Sequence, residues 1–123
     1  MDLFSILIAV VAGLGIGWLL FRSNQTDMSK VHVIDKETFT NNMRKGQLVD
    51  IRKKDAYEQD KIKGARNFRP GELTSKYSKL RYDQSVYLYC KNGRKSKRLA
   101  KKMSRKGYLD IYVLDGGFQN YHQ

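Results

Sequence analysis

The one cysteine of the 123-residue chain, Cys90, closes the apolar run SVYLYC and opens the segment CKNGRKS. A thiol attacks as its thiolate, and an anionic sulfur is favoured beside cations and at a helix N-terminus. The segment supplies both: Lys91, Arg94 and Lys95 are cations, and a helix beginning around Ser96 points its free amides and positive dipole end back toward Cys90. Gly93 lets the backbone turn sharply, so that successive N–H groups can face one point and form an anion-binding nest. The plain alternative stays open on these residues alone. A lone cysteine at a strand end is commonly a small core hydrophobe, and a basic helix face is commonly just solvated. From Lys91 to Lys106 there are nine basic residues and no acid.

The elements that must position this loop follow from local pattern. Val31–Ile34 suits a short strand. Asp35 can cap a helix running to about Lys45, with Phe39 and Met43 on one face and Gly46 as its stop. Gln47–Ile51 is a second strand, Asp55–Asp60 a helical turn, and Ala65–Phe68 a third strand. Pro70–Gly71 turns the chain, and Leu73, Tyr77 and Leu80 mark a short helix. Ser85–Tyr89 is the strongest strand, rich in β-branched and aromatic residues. Ser96 to Lys106 is helical with Leu99, Ala100 and Met103 inward, and Gly107 ends it. Ile111–Leu114 is the last strand, followed by DGGFQNY. Alternating strands and helices predict an α/β fold: a mostly parallel sheet of about five strands with helices on both faces. Ligands of such sheets sit at the carboxyl ends of strands, where Cys90 falls.

The first quarter is different in kind. Leu3 to Phe21 is an uncharged run of 19 residues, about the length that crosses a bilayer core of roughly 30 Å as a helix. It lacks the basic n-region and small-residue cleavage site of a signal peptide. The expected organisation is an anchor over 1–22, a linker over 23–30 and one domain over 31–123. All 24 Lys and Arg follow the run, which predicts a single-pass protein of the cell membrane with its C-terminal domain in the cytoplasm. Trp18 suits an interfacial position. Gly13 and Gly17 form a G-x-x-x-G pair that could let two such helices pack, although glycine is also simply frequent in membrane helices.

Composition narrows the chemistry. A net charge of +12 draws the domain to anionic lipid and anionic ligands. One cysteine excludes an internal disulfide and a cysteine-cluster metal site. His32 and His122 lie at opposite ends without ligand spacing, so no metal is expected. Nucleic-acid binding is disfavoured for KSKRLAKKMSRK, whose helix has an apolar inner stripe and no interleaved aromatics.

Residues 47–123 resemble a single-domain rhodanese, a thiosulfate or persulfide sulfurtransferase. The resemblance rests on L-V-D-I-R at Leu48–Arg52, I-x-G-A at Ile62–Ala65 leading to Asn67, the Cys90–Ser96 loop, and L-D-G-G-F at Leu114–Phe118, in family order and at family intervals. It implies that Cys90 takes the outer sulfur of a small anionic donor as a persulfide. That persulfide would be cradled by the backbone N–H groups of Lys91 to Lys95, and the sulfur would then pass to an external thiol or protein acceptor. Lys91, Asn92, Gly93, Arg94, Lys95 and Ser96 are the implied donor-binding residues, and no cofactor is needed. Two positions depart from the family pattern: Lys61 stands where a His is common, and Lys95 where an Arg is common. Lysine holds an oxyanion as a point charge and not as a bidentate fork. The cysteine-dependent phosphatases that share this fold need a longer loop closed by Arg, whereas here the sixth residue after Cys90 is Ser96. The other function class is a non-catalytic binding module that docks an acidic partner or an anionic membrane surface.

Overall fold

The computed structural model describes residues 2–23 and 28–121, with side chains described for residues 2–19 and 28–121. Helix α1 (Leu3–Ser23) comes first. There follow β1 (Val31–Ile34), α2 (Lys36–Asn42), β2 (Gln47–Asp50), α3 (Lys54–Gln59), β3 (Arg66–Asn67), α4 (Pro70–Thr74), β4 (Val86–Tyr89), α5 (Arg94–Ser104), β5 (Ile111–Leu114) and α6 (Gly117–Tyr121). The five strands pair in the order β1-β5-β4-β2-β3, every pair parallel. The expected five-stranded α/β sheet is thus present, and β4 lies at its centre.

Side chains alternate across the sheet, as a strand period of two requires. Val49, Val86, Leu88, Ile111 and Val113 point to one face, where Leu73 of α4 and Leu99, Ala100 and Met103 of α5 cover them. Leu48, Tyr87, Tyr89 and Leu114 point to the other, under Phe39 of α2 and Phe118 of α6. Burying a side chain such as Leu88 or Met103 contributes about 1.5–3 kcal/mol each. These two layers hold the central strand, and hence Cys90 at its end, in one register.

Asp35 caps α2 as expected. Its Oδ1 accepts the Thr38 N–H at 2.8 Å, and this hydrogen bond holds the Asp35 carboxyl below the usual carboxylate range. The helix tightens into a 3₁₀ turn over Met43–Lys45 before Gly46. Two expectations are corrected. Pro70 and Gly71 do not merely turn the chain: Pro70 starts α4, since its fixed φ and missing N–H suit the first helical turn. The helix expected through Leu73, Tyr77 and Leu80 ends at Thr74, because Ser75 is extended (φ −81°, ψ 158°). Leu73 and Leu80 are buried, but Tyr77 is 79% exposed.

Helix α1 carries large apolar side chains in the open, Leu3 at 88% and Leu14 at 71% exposure among them. Its side chains are described only as far as Leu19. Among the described residues no helix is long and apolar enough to cross a membrane, so the spanning helix expected over Leu3–Phe21 finds no support there. His32 donates or accepts a 3.1 Å bond with Asp110 and stacks on Tyr112; His122 lies outside the described residues.

Candidate functional site

Cys90 follows β4 directly at the carboxyl end of the sheet and is buried. Its Sγ accepts the Gly93 N–H at 3.1 Å and the Ser96 N–H at 3.4 Å. The Ser96 hydroxyl lies 3.2 Å from the same sulfur and also donates to the Gly93 carbonyl at 3.2 Å. One hydroxyl proton can serve the carbonyl or the sulfur, not both. A neutral Cys90 can therefore donate to Ser96 Oγ, and an anionic Cys90 can receive the Ser96 proton's hydrogen bond instead.

The helix that faces the sulfur begins earlier than its sequence indicates. α5 starts at Arg94 and not near Ser96, because Gly93 adopts φ +92° and serves as the cap, its carbonyl accepting the Lys97 N–H at 3.1 Å. Arg94 and Lys95 thus belong to the first helical turn. The helix is 11 residues long, so its first amides carry a substantial fraction of the dipole's positive end. The amides are not all turned on the sulfur, as a cradle running from Lys91 to Lys95 required. The Arg94 N–H is held by the Asn92 side-chain oxygen at 3.1 Å. Asn92 therefore shapes the loop, and Gly93 and Ser96 are the residues that touch the sulfur.

A second segment fixes the loop from behind. The Phe118 N–H donates to the Cys90 carbonyl at 2.8 Å and the Gln119 N–H to the Lys91 carbonyl at 3.0 Å. These are early amides of α6, whose Gly117 has φ +68°. A Cβ at Gly117 would stand 2.6 Å from both the Cys90 and Lys91 carbonyl oxygens, closer than any real side chain stands. The glycine permits the two backbones to meet.

Arg52 supports the same segment. Its guanidinium is forked onto buried Asp50, with Nη2 to Oδ2 at 2.8 Å and Nε to the carboxylate at 3.1 and 3.2 Å. It lies 4.0 Å from the centre of the Phe118 ring. Removing one partner of such a buried pair costs about 3–5 kcal/mol. Asn67 donates to the carbonyls of Asp50 and Arg52 at 3.0 and 2.9 Å, tying β3 to this turn. Behind the loop, burial raises the phenol of Tyr89 well above its ordinary range and keeps it neutral. Its oxygen accepts the Ile62 N–H at 3.2 Å.

In front of Cys90 opens a cavity of about 750 Å³. Ile51, Ala56 and Phe118 form an apolar part of its wall; of the six loop residues expected at a donor site, Lys91, Asn92, Arg94 and Lys95 line it, while Gly93 and Ser96 do not. Lys53 and Arg98 also line it and were not foreseen; neither lies in a motif. Lys61 is elsewhere, its ammonium 4.4 Å from the centre of the Tyr57 ring. The arrangement can hold a sulfur anion against fixed amide donors and draw an anionic ligand to it.

Comparison with known proteins bears on the family and the fold. The profile of the rhodanese-like domain matches residues 35–123. Uncharacterized protein YqhL of Bacillus subtilis is 38% identical over 88 residues, covering 72% of this chain and 70% of that protein. The thiosulfate sulfurtransferase GlpE of Shewanella oneidensis is 31% identical over 77 residues, covering 63% of this chain and 76% of that protein. Among solved structures, a rhodanese-related protein from Thermoplasma volcanium superposes with a TM-score of 0.66 at 21% identity, covering 74% of this chain and 90% of the other.

Proposed function

This chain belongs to the rhodanese-like domain family, and from that premise we propose that it is a sulfurtransferase working through a persulfide on Cys90. The observation that carries the proposal is the sulfur of Cys90 held at 3.1 and 3.4 Å from two backbone N–H groups at the head of α5, at the wall of a cation-lined cavity. The Cys90 thiolate attacks the outer sulfur of thiosulfate or of another sulfane donor. The donor's S–S bond breaks, its electron pair leaves with sulfite, and the transferred sulfur remains on Cys90 as a persulfide. Gly93 and Ser96 hold the anionic sulfur, while Lys91, Arg94 and Lys95 orient the anionic donor. A nucleophilic acceptor, a thiol for instance, then takes the outer sulfur and Cys90 leaves as thiolate. The chain has no second cysteine, so the acceptor comes from outside. No metal or organic cofactor enters either step. The name of the Shewanella relative supports thiosulfate as a donor.

An anchoring role for residues 1–22 rests on the uncharged run Leu3–Phe21 and on the exposed apolar side chains of α1. It would place the domain at the cytoplasmic face of the cell membrane. Resistance of the full chain to extraction from membranes at alkaline pH tests it.

The basic outer face of α5 favours a runner-up, a non-catalytic module that docks an acidic partner or an anionic membrane. Sulfite release from thiosulfate by the full chain, with a thiol acceptor and a Cys90→Ser control, separates the two. Release that depends on Cys90 supports transfer; none under conditions that turn over a known sulfurtransferase favours the module. Turnover of an aryl phosphate that is lost in Cys90→Ser would instead indicate phosphatase chemistry.

A further inference from the structure

We propose that the sulfur acceptor is a protein segment whose reactive cysteine is flanked by carboxylates. This rests on the persulfide reading of Cys90 and concerns what removes the sulfur.

The cavity in front of Cys90 is far too large for the donor alone. About 750 Å³ is the size that encloses a drug-sized ligand, and thiosulfate is a small dianion. The charge points the same way. Lys53, Lys91, Arg94, Lys95 and Arg98 line the cavity and no carboxylate does. Among the described residues none of these five forms an ion pair within the chain. Uncompensated cations around one cavity repel each other, and a ligand carrying several negative charges relieves this better than one dianion.

A second cavity of about 670 Å³ shares Ile51, Arg52, Lys53 and Lys95 with the first, so the two adjoin, and we take them as the two parts of one groove. The second part is mixed in sign: Asp55, Glu58 and Glu72 line it together with Lys54 and Arg69, and Tyr57, Asn67 and Pro70 complete its wall. An acidic ligand gains most near Cys90, where no carboxylate lines the wall, and less further along, where three carboxylates do. The groove therefore fits an extended chain with its negative charge close to the thiol and its remainder neutral and polar, running toward Arg69. A small thiol would fill one cavity and leave the other.

In the transfer the acceptor thiolate attacks the outer sulfur of the Cys90 persulfide. The new S–S bond forms on the acceptor, the Cys90 S–S bond breaks, and its electron pair returns to Cys90 as thiolate. The acceptor leaves as a persulfide anion and the transferred sulfur keeps its oxidation state, so no oxidant or reductant is consumed.

The test uses the full chain loaded with thiosulfate and freed of excess donor, with loading measured first. Four acceptors follow in single-turnover mixing: a cysteine peptide with Asp on both sides of the thiol, the same peptide with both Asp moved to its far end, its Asn counterpart, and mercaptosuccinate. Each rate is divided by that of the same thiol with a low-molecular-weight disulfide, which removes differences in intrinsic nucleophilicity. The Asp-flanked peptide should exceed the Asn peptide by about tenfold at low salt, and the margin should shrink at high salt. Moving the Asp residues away should remove most of it, and the double variant Lys53→Gln, Arg98→Gln should reduce it severalfold. Equal normalised rates for the three peptides overturn the proposal. So does mercaptosuccinate matching the Asp-flanked peptide, which would make the occupant a small anionic thiol. Failure of Cys90 to load at all would instead overturn the sulfurtransferase reading, and this proposal with it.

Discussion

The Cys90 loop and the outer face of α5 adjoin each other and are both densely basic, yet they are built differently. In the loop, positive charge is combined with fixed backbone donors: Gly93 and Ser96 aim N–H groups at one sulfur, and α6 pins the loop carbonyls from behind. On the outer face, Lys101, Lys102 and Arg105 are exposed, and Lys102 and Arg105 border a smaller cavity of about 280 Å³ with Thr74 and Lys106, away from Cys90. They are what remains outside when Leu99, Ala100 and Met103 turn inward. Positive charge that is mobile and solvated contributes attraction at long range; charge and dipoles held in place around one atom can stabilise a particular anion. The difference separates a site from a surface that merely has the same composition.

Substitutions in the two regions should therefore differ in effect. Cys90→Ala should abolish sulfite release from thiosulfate while the thermal midpoint stays close to that of the parent, since only a small buried group is lost. Retained turnover would remove the loop from the mechanism. Gly117→Ala should come next. The new Cβ meets two loop carbonyls at 2.6 Å with φ at +68°, so unfolding in urea should show a loss of at least about 2 kcal/mol. Turnover by the folded fraction should fall at least about tenfold, because the loop behind the sulfur must shift. Lys95→Ala should raise KM for thiosulfate severalfold and leave stability within about 0.5 kcal/mol, as expected of an exposed side chain. An equal loss of stability with unchanged kinetics would move Lys95 from the site to the surface class. The smallest effect belongs to the double variant Lys101→Gln, Lys102→Gln. Turnover should be unchanged, and stability should fall by no more than a few tenths of a kcal/mol from the lost interaction with the helix C-terminus.

The same contrast explains what could be read from the sequence. The strand before Cys90, the glycine after it and the helix beyond are local features, and the α/β order followed from them. Local pattern misled where spacing imitated a helix: Leu73, Tyr77 and Leu80 recur at helical intervals, but Ser75 leaves helical backbone and Tyr77 stays in solvent. The sequence points to a start of α5 near Ser96, later than Arg94, because the cap is the backbone of Gly93 and not a recognisable capping side chain. Arg52 and Phe118 both lay in motifs that carry the family resemblance. Their contact, and the hold of α6 on the loop, join segments far apart in the chain, and no local periodicity encodes such a meeting. Lys53 enters the site for the same reason, whereas Arg98 lies one turn after Arg94 on α5, so the helical period already puts the two on one face.

Persulfide formation on Cys90 is tested by intact-mass spectrometry of the full chain after exposure to thiosulfate, followed by peptide mapping. A sulfurtransferase working through Cys90 should gain one sulfur atom, located on Cys90, discharged by an added thiol and absent in Cys90→Ser. No adduct under conditions that load a known sulfurtransferase, or an adduct that persists in Cys90→Ser, would contradict it.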